Sequence, residues 1–303
     1  MSPRGSATSS RDSRSAGTKK DCLMTISASA SIPSLSEVPV GFPAGTVEPG
    51  YVLTDALDPD PASVFAGLSA EDRAYRERAR TFVQDEVLPI IDGYWERGDY
   101  PVHLIARLGE LDLLRDGVPV EGFAPMSTMA AGLVNMEISR GDGSIGTVIA
   151  VQGGLALRSV ALCGSDEQKK RWLPSLSRGE EYGAFALTEP THGSDSVGLE
   201  TTAVRTEGGF LLNGEKKWIG NGSIGGITVV WARAEDGRVH GYLVPQDSPG
   251  YTATVIEGKV SLRAIWQAHI RLENVFVPDE NVLPGANSFK DTSRVLLATR
   301  LGV

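Results

Sequence analysis

The sequence predicts an α+β protein: an all-helical domain over residues 68–180, then an antiparallel β-barrel or sandwich over 181–284, then helix again over 285–303. Two observations carry this. Between 69 and 179, apolar residues recur at helical spacing, and the runs are separated by capping residues and glycine stops. From 181 the period drops to two, in many short runs divided by Gly, Asp and Pro turns. A third observation sets the lower boundary. Residues 1–67 are rich in Ser, Pro, Ala and Gly, and so little there can be buried that an extended or disordered arm is expected.

The helices follow in order. Ser69, with an acid at Asp72, reads as an N-cap, and Tyr75, Ala79, Phe82, Val83, Val87 and Ile90 form the apolar face behind it. Pro101 opens a second helix with Val102, Ile105, Leu108 and Leu111 on one side. A third covers 125–140 and a fourth 144–162. Ser165 and Gln168 form a capping box for a fifth, which turns Trp172, Leu173 and Leu176 inward and stops at Gly179. Strands are expected at 183–187, 199–205, 210–212, 227–232, 239–245, 251–256, 268–272 and 275–277. Turns fall at Glu207-Gly208-Gly209 and at Asn213-Gly214, the second reading as a hairpin that delivers Lys217-Trp218-Ile219.

Bulk properties exclude several classes. A net charge of −9 does not suit a nucleic-acid surface, which needs clustered positive charge. Cys22 and Cys163 are the only cysteines, so no disulfide framework is implied and a reducing compartment fits. The apolar stretch 145–162 contains Gln152, Arg158 and three glycines, and is expected to be a buried helix with no membrane partner. Residues 1–24 carry five basic residues against two acids, a composition shared with organelle transit peptides. An over-extended start with Met24 as initiator is the simpler account, and a cytoplasmic location is expected.

Two apparent motifs are set aside. Gly141 to Gly146 spells G-x-G-x-x-G, but a dinucleotide loop must leave a strand, and helical periodicity precedes this one. His103, His192, His240 and His269 show no metal-ligand spacing with one another or with the cysteines, so no metal is expected.

The informative stretch is 182–222. A short apolar strand runs into Thr188-Glu189-Pro190, then a loop dense in hydroxyls and amides, then a strand carrying an indole. Amides and hydroxyls suit an anionic tail, and an indole face suits a flat heterocycle. The segments ALTEPTHGSD and NGEKKWIGNG, with ALCGSDEQKKRWLPSLSRGE before them and GKVSLRAIWQAHIRLENVFVPDENVLPG after, resemble the acyl-CoA dehydrogenases and acyl-CoA oxidases. The glutaryl-CoA dehydrogenases and plant-type short-chain oxidases are the most similar in these motifs, and the likeness runs from about residue 70 to the end.

That resemblance implies an FAD-dependent α,β-desaturation of an acyl-CoA thioester, with electron-transfer flavoprotein or oxygen as acceptor and a homotetramer as the full-length assembly. It implies that Phe185, Ala186, Leu187, Thr188, Glu189, Gly193 and Ser194 line the flavin, with Thr188 at its pyrimidine edge, and that Trp218, Ile219 and Gly220 pack along its ring. Ser194 would also reach the pantetheine or phosphate region of the substrate. The family's glutamate base sits in a C-terminal helical bundle that this sequence only begins, so the base is expected beyond Val303 and the chain by itself is expected to be inactive or nearly so. Glu137 and Glu189 align with no such role. His192 and Gly220 depart from the family's usual residues. Gly146 stands where glutaryl-CoA dehydrogenases carry an arginine, which points to an uncharged acyl chain.

Overall fold

A computed structural model describes residue 60 and residues 63–300. The expectation for residues 1–59 lies outside the described residues. The last part of the predicted arm is structured: Val64–Gly67 forms a 3-10 turn, and Arg76 stacks over Phe65 at 3.9 Å.

Helix α1 (Ala70–Phe82) opens on Ser69, whose hydroxyl accepts from the Asp72 amide. It widens through a π turn at Val83–Val87 into α2 (Leu88–Arg97). Pro89 has no N–H to give and its ring crowds the preceding turn, so a local widening is the expected response. Helix α3 (His103–Glu110) and α4 (Thr128–Gly141) follow, the latter capped by Ser127. Asp142 caps α5 (Gly143–Ile149) through the Ser144 amide, so the G-x-G-x-x-G segment is a junction between two helices. The chain continues through a wide π stretch, Ala150–Leu157, into α6 (Arg158–Cys163), and the Ser165 capping box opens α7 (Asp166–Ser177).

The run Gly143–Cys163 is long and apolar enough to cross a membrane by length and composition, yet 67% of its apolar 18-residue stretch is buried inside the protein. Both of its ends are clasped from the sheet side. The Ala264 amide donates to the Ser144 hydroxyl, and the Gly285 amide to the Cys163 carbonyl. Midway, Gln152 donates to the Leu176 and Glu181 carbonyls and accepts from the Gly183 amide.

Seven strands form one curled sheet: β1 (Gly183–Ala186), β2 (Thr202–Thr206), β3 (Gly209–Gly220), β4 (Ile227–Ala234), β5 (Val239–Pro245), β6 (Tyr251–Val255) and β7 (Gln267–Pro278). The order is β1-β4-β2-β3-β7-β6, with β5 also on β4. The ladders are antiparallel except for β1–β4 and β2–β4, which are parallel because the β2–β3 hairpin intervenes before the chain returns. The two predicted runs at 268–272 and 275–277 are one strand.

Asn213-Gly214 is not the expected hairpin. It lies inside β3 as an irregularity in the β3–β7 ladder. The Asn213 side chain bridges to Asn274 on β7, and Gly214 at φ 149 leaves room for Thr201, whose Cα would meet a Cβ there at 2.7 Å. Tertiary pairing on the β7 side overrides the local turn preference.

Alternation along the strands divides the core. Ala184, Ala186, Val230 and Ala232 point into the curl of the sheet with Leu212, Tyr242, Ile270 and Val275. Phe185, Leu187, Val229 and Trp231 point to the helices and meet Leu157, Val160, Trp172 and Leu176. A separate helical core joins α1 to α5, with Phe82, Leu108, Leu113, Ile138 and Ile149 at its centre. Helix α8 (Phe289–Thr299) follows the sheet and buries Val295 and Thr299.

Candidate active site

The site is built where the loop after β1 meets a bulge in β3. Between the pairs Lys216–Ile270 and Ile219–Ala268, β3 spends two residues, Lys217 and Trp218, opposite His269 alone. A bulge of this kind bends the strand and re-aims a side chain. Trp218 consequently takes φ 65, a left-handed conformation that costs a bulky L-residue about 1–2 kcal/mol. Its indole is 50% exposed, an unusual state for the largest apolar side chain.

Three consecutive loop residues are tied to this bulge. The Lys217 amide donates to the Thr188 carbonyl at 2.9 Å. The Lys216 ammonium donates to the Leu187 carbonyl at 3.1 Å and to Glu189 Oε1 at 2.8 Å. Glu189 also accepts from the Glu200 and Thr201 amides and the Thr201 hydroxyl, so both its oxygens are occupied. Burial pulls Lys216 down to about 8 against the attraction of Glu189. Burial works to raise the Glu189 carboxyl, but the Lys216 charge and the Glu200 amide outweigh it and hold it below the ordinary value. The two groups face each other at 2.8 Å as a buried ion pair.

The predicted residues divide into three groups. Thr188 is half-buried and held beside Trp218. Phe185, Ala186 and Leu187 have buried side chains, with Phe185 5.9 Å from the Trp231 ring, so only backbone is available there to a ligand. Ile219 is buried, and Gly220 is pressed against Val151 of the π stretch, where a Cβ would meet Val151 Cγ2 at 2.9 Å. Gly193 and Ser194 are exposed on the loop. Ser194 lines a cleft of about 470 Å³ with α8, where Lys290, Arg294 and the adjoining Arg300 form a cationic wall; Trp218 is not among its lining residues.

The contact at Gly220 is testable. Gly220→Ala is expected to cost about 1–3 kcal/mol by overpacking, and Val151→Ala to recover part of that loss. A double-mutant cycle in chemical denaturation reads the coupling as non-additivity.

Sequence reasoning missed Lys216, Thr201, Val151 and Asn221. Lys216 carried no distinguishing signal, since β3 also holds Asn213, Glu215 and Lys217; only its burial shows that the ammonium requires an acid. Asn221 is buried at φ 60; it accepts from the Tyr100 hydroxyl and donates to the Gly183 carbonyl, joining the helical layer to β1. The structure also gathers Glu189, His192 and Glu200 so that one ligand atom of each lies within 4.8 Å of the others. Lys216 already neutralises Glu189, which makes this a loop strut and a poor cation site. The His192 ring instead fills the space beside Gly198, where a Cβ would meet its Nδ1 at 3.0 Å.

Comparison with known proteins agrees with this architecture. Residues 69–180 match the acyl-CoA dehydrogenase N-terminal domain, and residues 184–275 the acyl-CoA dehydrogenase middle domain. The mitochondrial short-chain specific acyl-CoA dehydrogenase of Rattus norvegicus is 34% identical over 235 residues, covering 75% of this chain and 57% of that protein. The crystal structure of glutaryl-CoA dehydrogenase from Mycobacterium smegmatis superposes with a TM-score of 0.77 at 42% identity, covering 79% of this chain and 62% of that one. A glutaryl-CoA dehydrogenase from the same organism in complex with FADH2 gives a TM-score of 0.77 at 35% identity, over 80% of this chain and 62% of that one. The chain thus spans somewhat more than half the length of these relatives. With both domains matched in order and the fold reproduced, the chain belongs to the acyl-CoA dehydrogenase family.

Proposed function

We propose that this chain supplies the flavin cradle and part of the acyl-CoA site of an FAD-dependent acyl-CoA dehydrogenase. The observation that carries the reading is Trp218: a half-exposed indole in a strained backbone conformation, fastened beside Thr188 through the Lys217 amide. Strain of this kind persists only where surrounding structure imposes it, and it clusters at ligand sites. The residues fit a flavin, since an exposed indole adjoins the residue whose amide is bonded to the half-buried Thr188. FAD, when bound, supplies the two-electron acceptor for desaturation.

The chain's own residues bind and orient. Trp218 offers a stacking surface, and Thr188 a hydroxyl at the rim. Ser194 and the cations of α8 border a cleft suited to a phosphate-bearing chain such as coenzyme A. Gly146 packs into the α4–α5 crossing, where a Cβ would overlap Ser139, so no cation projects from that point; an uncharged acyl chain is the substrate this favours. Among the described residues, Glu137 and Glu189 are bound up in ion pairs and neither is free to take an α-proton. Neither of these two carboxylates is placed as the base, and we read the chain by itself as a binding unit with little turnover. Electron-transfer flavoprotein or oxygen would reoxidise the whole protein, assembled as a homotetramer.

The test is direct. The purified chain, incubated with FAD and desalted, is expected to retain visible flavin absorbance, and Trp218→Ala to weaken retention about three- to tenfold. Butyryl-CoA is expected not to bleach that flavin under anaerobic conditions. Absence of retained flavin in the unmodified chain overturns the reading.

A further inference from the structure

We infer that Lys216 is a positioning residue: its buried ammonium sets where Trp218 stands relative to Thr188, and so shapes the flavin cradle without touching the flavin. This rests on the cradle reading above.

The argument is geometric. Lys216 is the last β3 residue in register before the bulge, and Ile219 is the first after it. Trp218 makes no ladder pair of its own, so its place is dictated by what fixes the residues before and after it. Ile219 is fixed by its pairing with Ala268. Lys216 is fixed twice, by its pairing with Ile270 and by the Nζ bonds to Leu187 and Glu189. Those bonds reach either side of Thr188, the residue whose carbonyl takes the Lys217 amide. Residues 187, 188 and 189 are thereby stitched in order to residues 216 and 217.

Charge explains why a lysine is used. Glu189 gathers four donors, and of these only Lys216 brings a full charge and comes from the bulged strand. The other three belong to Glu200 and Thr201, and hold the far end of the loop. Remove the Lys216 ammonium and the loop stays folded on itself, with the Lys217–Thr188 backbone bond left to tie it to the bulge. A lysine serving stability alone would be different: a buried ion pair of that kind can usually be exchanged for a neutral, well-packed pair at little cost.

That difference supplies the experiment. The double variant Lys216→Met/Glu189→Gln removes both charges together and is compared with Lys216→Met, Glu189→Gln and the unmodified chain. Stability is read by thermal denaturation. The local readout is iodide quenching of Trp218, taken as the difference from the same background carrying Trp218→Phe, because four other tryptophans are present. FAD affinity is read separately.

The expected result is a double variant that regains most of the stability lost in Lys216→Met, yet still shows Trp218 quenching changed by about twofold or more and FAD binding weakened about tenfold. A stability-matched double variant with unchanged Trp218 quenching overturns the positioning role. If the double variant does not fold, Lys216→Met decides, read below its own melting temperature, since it removes both Nζ bonds: altered Trp218 quenching supports the role, and unaltered quenching overturns it. Failure of the unmodified chain to bind FAD counts against the cradle alone, because the quenching comparison needs no flavin.

Discussion

Replacing Glu137 with alanine is expected to destabilise the protein by about 3–5 kcal/mol, the usual consequence of removing one partner from a buried ion cluster. Glu137 is fully buried on α4 and accepts from Arg76 at 3.0 Å, Arg80 at 2.9 Å and Arg140 at 3.0 Å. Without it, three guanidiniums converge on a cavity, and two of them reach it from α1. The helical core loses its main electrostatic tie between α1 and α4. A fall in melting temperature on the order of 10 °C should result.

The same group predicts an acid response. Burial works to raise the Glu137 carboxyl, but hydrogen bonds from Arg80 and Arg140 outweigh it, and its folded value lies below the ordinary 4.5. Its contribution is fully present above that unfolded value and is lost as pH falls through the lower folded one. Stability followed by denaturant titration should therefore decline below about pH 4.5 more steeply in the unmodified protein than in Glu137→Gln.

Gly153→Ala is the second large effect. A Cβ at 153 would overlap the Leu114 carbonyl oxygen and come within 2.9 Å of its carbon. That backbone cannot retreat cheaply, because Arg115 beside it is locked to Asp112 and to the Val118 and Ala124 carbonyls. A loss of about 3 kcal/mol or more is expected, at the upper end for overpacking. Gly132→Ala on α4 is the control: nothing lies within 4 Å of its Cβ position, and a gain of about 0.5–1 kcal/mol is expected from helix propensity alone. Chemical denaturation of the two variants checks both signs.

The contrast between these glycines marks what was legible in the sequence. Period and caps were enough to place the helices, though not their π turns at Val83–Val87 and Ala150–Leu157: Ser69 and Ser165 cap as their spacing predicts, and the face from Tyr75 to Val87 is buried. The switch to period two gave the sheet. Gly153 and Gly132 look alike in sequence, because only the neighbour brought up by tertiary packing distinguishes them. The same reason explains Asn213-Gly214, whose turn preference is real but is overruled by a continuous ladder with β7. At the site, Thr188 and Trp218 could be singled out by chemistry and order. Lys216 and Val151 could not, since each acts through a partner far along the chain: Glu189 for one, Gly220 for the other.

The helix from Gly143 to Cys163, roughly 30 Å long at the standard rise, is gripped by the sheet's outgoing loops at both extremities and by Gln152 in between. Ties at both ends and the middle resist separation of the layers, so the face that Val151 presents to Gly220 acts as a fixed wall behind the strand that carries Trp218.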